Sequence, residues 1–244
     1  NELLGPFVWG PVPTDEVVGR AGELIVQMEA VGSASYEVTQ SLAVAYAMRG
    51  EIELADERFA SSRRRAREFG ERLHLAASHP QLEAELLLGR YAETERLARE
   101  GVEQLRELGE HGYLATSLIY LADAIVSQDR PDEAEATLKE AQEQAAEDDA
   151  VTVIGIRRVR AKILRSLGDL DGAERSAREA VASGEPTDYL YEKGSSHQVL
   201  GEILLAKGER DEGLEQLRVA LDLFERKGVL VLLDALRARI SEAE

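Results

Sequence analysis

Arg158, Lys162 and Arg165 are spaced i, i+4, i+7, which puts three cations on one face of any helix that contains them. Arg157 and Arg160 lie nearby. Like charges gathered on one face repel one another, so the arrangement suits an acidic partner: a carboxylate, an acidic peptide or a phosphate. The denser run Arg63-Arg64-Arg65 with Arg67 is different, because consecutive helical residues point in different directions. With Glu57, Glu68 and Glu71 close by, it reads as a solvated convex face rather than one patch.

Other chemistry is poorly represented. His74, His79, His111 and His197 show no metal spacing, and His74 and His79 are five apart rather than the four of a helical zinc pair. Structural or solvent-facing roles are expected for all four. No Ser/His/Asp set stands out, and no paired carboxylates rise above the acidic background. No glycine cluster forms a phosphate-binding loop. Glu147-Asp148-Asp149 reads as a helix-connecting loop, since it lacks the alternating ligands and central glycine of a calcium loop. The chain is therefore expected to be no enzyme, with no metal and no cofactor.

The elements that must position the cations follow from a repeat. Helix-ending glycines stand at 50, 89, 168 and 208, and Asp129 takes the same slot in the third copy, giving steps of 39 or 40 residues. A period in this range marks stacked supersecondary units, because one unit cannot bury its own apolar face. Five helical hairpins are expected, pairing 34–48 with 52–69, 72–88 with 91–108, 113–127 with 131–146, 151–167 with 170–183, and 189–206 with 210–227. Pro131 suits a helix start, where its missing N–H costs nothing. Pro80 falls inside the second hairpin's first helix. Two readings stay open for it: an irregular start with the true helix beginning near His79, or a kink that widens the groove.

Upstream, Gly5 to Pro13 contains three of the six prolines, so no helix passes through it. Thr14 is expected to cap a helix running to about Ala30, whose partner lies upstream with Leu3, Leu4, Phe7 and Trp9 as its remnant. The domain reading is a partial repeat over 1–32, five hairpins over 33–228 and a capping helix over 229–244. That last helix starts apolar and ends charged, so that one face adheres to the last repeat while the other meets water.

Composition agrees with helices: charged residues make up 31% and aromatics 5%, a mix unsuited to a β-sandwich. The net charge of −18 disfavours nucleic acid, whose phosphates it repels. Cysteine is absent, which excludes disulfides and thiolate metal sites and fits a reducing compartment. No apolar run approaches the roughly 20 residues a membrane helix needs, and no signal-peptide pattern is present. A cytoplasmic location is expected, with no membrane partner. The first residue is Asn rather than Met, so a piece of a longer protein is expected.

Leu42-Ala43-x-x-Tyr46 with Gly50, Ala55 and Phe59 resembles the tetratricopeptide repeat signature. So do Leu121-Ala122 with Ala134, Leu138 and Ala141; Ala161 with Gly168, Ala173 and Ala180; and Leu200-Gly201 with Gly208, Leu217 and Ala220. The resemblance covers about 33–228 and implies an all-α fold, a right-handed α-solenoid of helical hairpins. Leu82 and Thr94 depart from it, standing where the family has small residues. The long period, with Ala180-Val181-Ala182 to Thr187-Asp188 and Leu223 to Gly228, resembles the TPR arms of large bacterial signal-transduction ATPases of actinobacterial type.

The resemblance implies that the first helix of each hairpin lines a concave surface. Arg158, Lys162 and Arg165 then face inward, as do Gln40 in the first repeat, His79 and Glu83 in the second, Asp123 in the third, and Gln198 and Glu202 in the fifth. The cluster resembles a carboxylate clamp in type, without that clamp's asparagines. Glu83, Asp123 and Glu202 occupy the slot of Lys162 in neighbouring repeats. Two readings therefore stand: Asp123 and Glu202 neutralise Lys162 in interrepeat salt bridges, or the cations take an acidic ligand. The expected function is a protein-recognition module, the regulatory arm of a larger bacterial signalling protein that grips a protein, a peptide or its own upstream domain. The alternatives are a free-standing adaptor and a groove that senses a small ligand.

Overall fold

The computed structural model describes residues 8–33, 35–146 and 149–244, and these are all-helical. The chain builds α1 (Thr14–Ala30), α2 (Tyr36–Arg49), α3 (Ile52–Glu68), α4 (Arg72–Ala76), α5 (His79–Leu87) and α6 (Tyr91–Leu108). It continues through α7 (Gly112–Val126), α8 (Pro131–Gln144), α9 (Ala150–Ser166), α10 (Leu170–Gly184), α11 (Leu190–Lys207), α12 (Arg210–Lys227) and α13 (Leu230–Ala243). Successive helices pack as antiparallel hairpins, and each hairpin packs on the next, which is a solenoid.

The punctuation read from the sequence is the one used. Gly50, Gly89, Gly168 and Gly208 adopt left-handed backbone, and Asp129 (φ 58°) does the same in the third hairpin. This conformation lets the chain reverse while the last helical carbonyls keep partners. Gly50 N–H, for example, donates to Ala47 O (3.0 Å) and Glu51 N–H to Tyr46 O (2.9 Å). Asp is among the few non-glycine residues that tolerate it.

Small residues let paired backbones approach. Ala43, Ala47 and Ala55 in the first hairpin and Ala161, Ala173, Ala177 and Ala180 in the fourth have no exposed surface. Gly201 is one tight case: a Cβ there would stand 2.9 Å from Gly213 O and 2.7 Å from the Leu217 side chain. Only glycine fits between α11 and α12 at that point.

The second hairpin resolves the Pro80 question in favour of the irregular start. A short α4 ends at Ala76, and α5 begins at His79 with Pro80 in its first turn, where no N–H is required. The displaced α4 packs on α6, where Ala76 O lies close enough to Gly101 that a side chain there would strike it (2.5 Å). Leu82 and Thr94, the departures from the small-residue pattern, are buried all the same.

At the amino end one expectation is corrected. Thr14 does not cap α1: Pro13 holds the cap position, Thr14 is the first helical residue, and its hydroxyl donates to Gly228 O at the far end of the array (3.0 Å). The Trp9 indole, assigned to a remnant of the partner helix, donates to Glu83 on α5. Leu3, Leu4 and Phe7 lie outside the described residues.

That contact reflects a closure the repeat alone does not reveal. One apolar cluster joins Val8, Val44 and Met48 at the start of the array to Leu217, Phe224, Leu233, Leu236 and Ile240 at its end. Helix α13 packs on α12 and also on α2. The expected capping helix thus covers the last hairpin and seals it against the first. Val44 and Met48 are buried in this seam. Its most unusual member is Lys227, which has no exposed surface and whose ammonium donates to Gly10 O (2.9 Å) and Val12 O (2.8 Å).

Candidate functional site: the central cavity

The first helices of the second to fifth hairpins, α5, α7, α9 and α11, surround a cavity of about 510 Å³, with Leu232 of α13 closing one side. Arg158, Lys162 and Arg165 form one wall, as their spacing requires. Glu83, Asp123, Gln198 and Glu202 also line it. Gln40 and His79 do not, which corrects the sequence reading. The Gln40 amide donates to Ser78 Oγ (3.0 Å), and His79 Nε2 meets Ser117 Oγ (2.9 Å). Both are buried links between adjacent repeats. Burial holds the His79 imidazole down at about 4, against weaker pulls from Tyr113 and Asp149, so it is neutral at pH 7.

The three cations are each paired within the fold. Lys162 Nζ donates to Asp123 Oδ1 (2.7 Å) and Arg165 to Glu202 Oε2 (2.7 Å). Arg158 is bound to Glu192, and this pair is almost fully buried, with side chains 10% and 3% exposed. Burial alone would disfavour the Arg158 charge, but the Glu192 and Asp123 carboxylates outweigh it and hold it firmly protonated. Lys162 thus takes one of the two partners anticipated for it, and Glu202 serves Arg165 instead. Gln198 donates to Glu202 Oε1 (3.1 Å) and steadies that carboxylate.

Glu192 was missed, because it lies outside the repeat slot that flagged the other acids. Tyr120, Tyr191, Trp9 and Lys227 were missed as well. Only Trp9 carried a signal, as the single tryptophan of the chain.

Glu83 is the anomalous group. It is 2% exposed, its Oε2 accepts from Trp9 Nε1 (2.6 Å) and Tyr120 Oη (3.2 Å), and among the described residues its Oε1 accepts nothing. Burial, reinforced by the Glu192 charge, pushes its carboxyl up to about 7, although both hydrogen bonds and Arg158 act the other way. Burial also raises the phenols of Tyr120 and Tyr191, which stay protonated.

The sign of the Glu83 effect is specific. A carboxyl whose folded value lies above its unfolded one penalises folding fully above about pH 7 and not at all below about pH 4.5. Glu83→Gln is therefore expected to raise stability at pH 8 by about 1–3 kcal/mol and to change it little near pH 4.5, measured by urea unfolding at both. An equal shift at the two pH values would contradict a buried, titrating Glu83.

A second depression of about 500 Å³ lies between α3, α5 and α6, lined by Arg63, Arg67, Arg90 and Arg96 with Asp56, Glu85 and Glu93. Arg63 and Arg67, one turn apart, do share a wall, so half of the basic run is more organised than expected. The acids already hold part of it: Arg90 pairs with Asp56 (2.8 Å) and Arg96 with Glu93 (2.6 Å), while Arg65 reaches Glu29 (3.0 Å). Asp149 accepts from Val151 and Thr152 N–H and caps α9, whereas Glu147 and Asp148 lie outside the described residues. Among the described residues no three potential ligands gather as a metal site, and no helix is long and apolar enough to cross a membrane.

No family model matches the chain. No curated protein matches it either. Among solved structures it is similar to the crystal structure of BtubC (BKLC) from P. vanneervenii, with 17% identity over 84% of this chain and 87% of that one and a TM-score of 0.46. A likeness at that level is silent on function.

Proposed function

We propose that this chain is a tetratricopeptide-type recognition module, the cytoplasmic regulatory arm of a larger bacterial signalling protein, whose groove grips a polypeptide segment and performs no catalysis. The observation that carries this reading is the seating of Val8–Pro13. This stretch is held by its backbone carbonyls on Lys227 and by the Trp9 indole on Glu83. Backbone-directed donors with one aromatic anchor are a common way to bind an extended segment. Glu83 belongs both to this contact and to the cavity wall, and a regulatory arm works by such intramolecular contact, biasing a neighbouring domain between states. Internal pairing of Arg158, Lys162 and Arg165 argues against an acidic peptide as the primary partner, since binding it would require breaking those pairs.

A photo-crosslinking residue placed at Ser195, on the cavity wall, tests this in the native protein inside cells. Crosslinks to a preceding domain of the same polypeptide are expected. Crosslinks to a separate protein would support the adaptor reading instead. Crosslinks to neither would overturn polypeptide recognition in the groove.

A further inference from the structure

We propose that the central cavity is a binding site for an organic ammonium group, with the Glu83 carboxylate as its counter-charge. Each cation in the cavity wall is engaged by an acid, Arg158 by Glu192, Lys162 by Asp123 and Arg165 by Glu202. Glu83 is the acid left over. Glu83 lines the cavity, and its buried Oε1 accepts no hydrogen bond among the described residues. Buried polar atoms are nearly always satisfied, so such an exception calls for a missing partner.

The chemistry of that partner is narrow. An ionised Glu83 leaves a bare carboxylate oxygen, and a protonated one leaves a buried hydroxyl that finds no acceptor. A primary ammonium donates to Oε1 and supplies the missing positive charge, replacing the proton that the empty site retains. An anion would meet Glu83 and cations already paired. A metal ion would find the other carboxylates of the wall, Asp123 and Glu202, already paired with cations, and among the described residues no three potential ligands gather as a metal site. The rest of the wall suits an alkylammonium: Tyr120 and Tyr191 contribute aromatic side chains, and Leu86, Val126 and Leu232 contribute apolar ones for its carbon chain. A volume of about 510 Å³ lies in the range of small-molecule sites. The ammonium can come from a free amine or from a lysine side chain of a bound segment.

The charged and titratable groups facing Glu83 are Tyr120 and Asp123 on α7, Arg158 on α9, Tyr191 and Glu192 on α11 and Lys227 on α12, besides the Trp9 indole. Of these, Lys227 also titrates near neutrality, so the pH dependence has to be compared with that of Glu83→Gln.

This inference stands apart from the recognition reading. Failure to bind ammonium leaves the polypeptide groove intact, and absent crosslinks leave the cavity chemistry intact. The test is calorimetric titration of the full chain with butylammonium, with neutral butyramide and with Nα-acetyl-lysine amide. Each is run near pH 6 and near pH 8, on the wild type and on Glu83→Gln. Saturable binding of an ammonium probe is expected, at least about tenfold tighter than butyramide. It should be tighter at the higher pH, and at least about tenfold weaker in Glu83→Gln. The tighter of the two ammonium probes identifies the source. The sole tryptophan, Trp9, shares the same carboxylate, so its emission should shift on binding. Should Glu83→Gln fail to fold, proton release on binding to the wild type, read in buffers of different ionisation enthalpy, replaces it. No saturable binding, equal affinity for butyramide, undiminished affinity in a folded Glu83→Gln or no proton release would each overturn the site.

Discussion

Arg158→Ala is expected to destabilise the protein by roughly 3–5 kcal/mol, the cost of leaving one partner of a buried ion pair without the other. Glu192, 3% exposed, would become an uncompensated charge beside Glu83, whose own carboxyl is raised in part by Glu192. The neighbouring cations provide the comparison. Arg165 and Glu202 are both substantially exposed, so Arg165→Ala should cost no more than about 1 kcal/mol. Lys162, half-exposed against the buried Asp123, should fall between. Replacing both partners by apolar residues, as Arg158→Met with Glu192→Leu, should recover much of the loss, because the desolvation penalty disappears with the charges. Urea unfolding of the four variants checks the ranking. Equal small losses for all three cations would mean that the inner pair is solvated after all.

Lys227→Met is expected to open the closed end of the array. The ammonium has no exposed surface, and its loss strips Gly10 O and Val12 O of a donor. Two orphaned carbonyls and a lost charge-assisted contact together imply about 2–4 kcal/mol. Trp9 should move toward water, so its emission should shift to the red; an unchanged spectrum would mean that Lys227 does not hold the segment. The pH dependence has a definite sign. Burial lowers the Lys227 ammonium to about 8, against its ordinary 10.5, although the Glu83 and Asp188 charges oppose this. The unfolded chain therefore binds more protons between those values, and this group's contribution to stability rises with pH across that window. Lys227→Met should abolish that rise. Above about pH 10 the trend reverses, since Tyr120 and Tyr191 resist ionisation when folded.

The hairpins were legible because their determinants are local. A glycine or Asp129 at each helix end, small residues at helical spacing and Pro131 at a helix start act over a few residues. They placed most helix ends within two positions of the structure. Where the signal was mixed, as around Pro80, the alternatives were legible but the choice was not, since it depended on Ala76 finding space against Gly101. Thr14 misled for a related reason: a cap-competent residue was claimed by a distant carbonyl at Gly228.

The site divides along the same line. Helical geometry alone put Arg158, Lys162 and Arg165 on one face, and the repeat offset named Asp123 as a partner for Lys162. Nothing local pointed to Glu192, and the same offset sent Gln40 and His79 into a groove they do not line. Residue spacing in this chain determined which residues share a helix face and where each helix stops, because those depend on backbone periodicity. The tertiary structure decided which face meets solvent, which cation meets which acid, and that Lys227 and Trp9 at opposite ends of the chain meet around Glu83. Those outcomes depend on the small rotation between successive hairpins, which side-chain volumes set and which accumulates along the array until its ends touch.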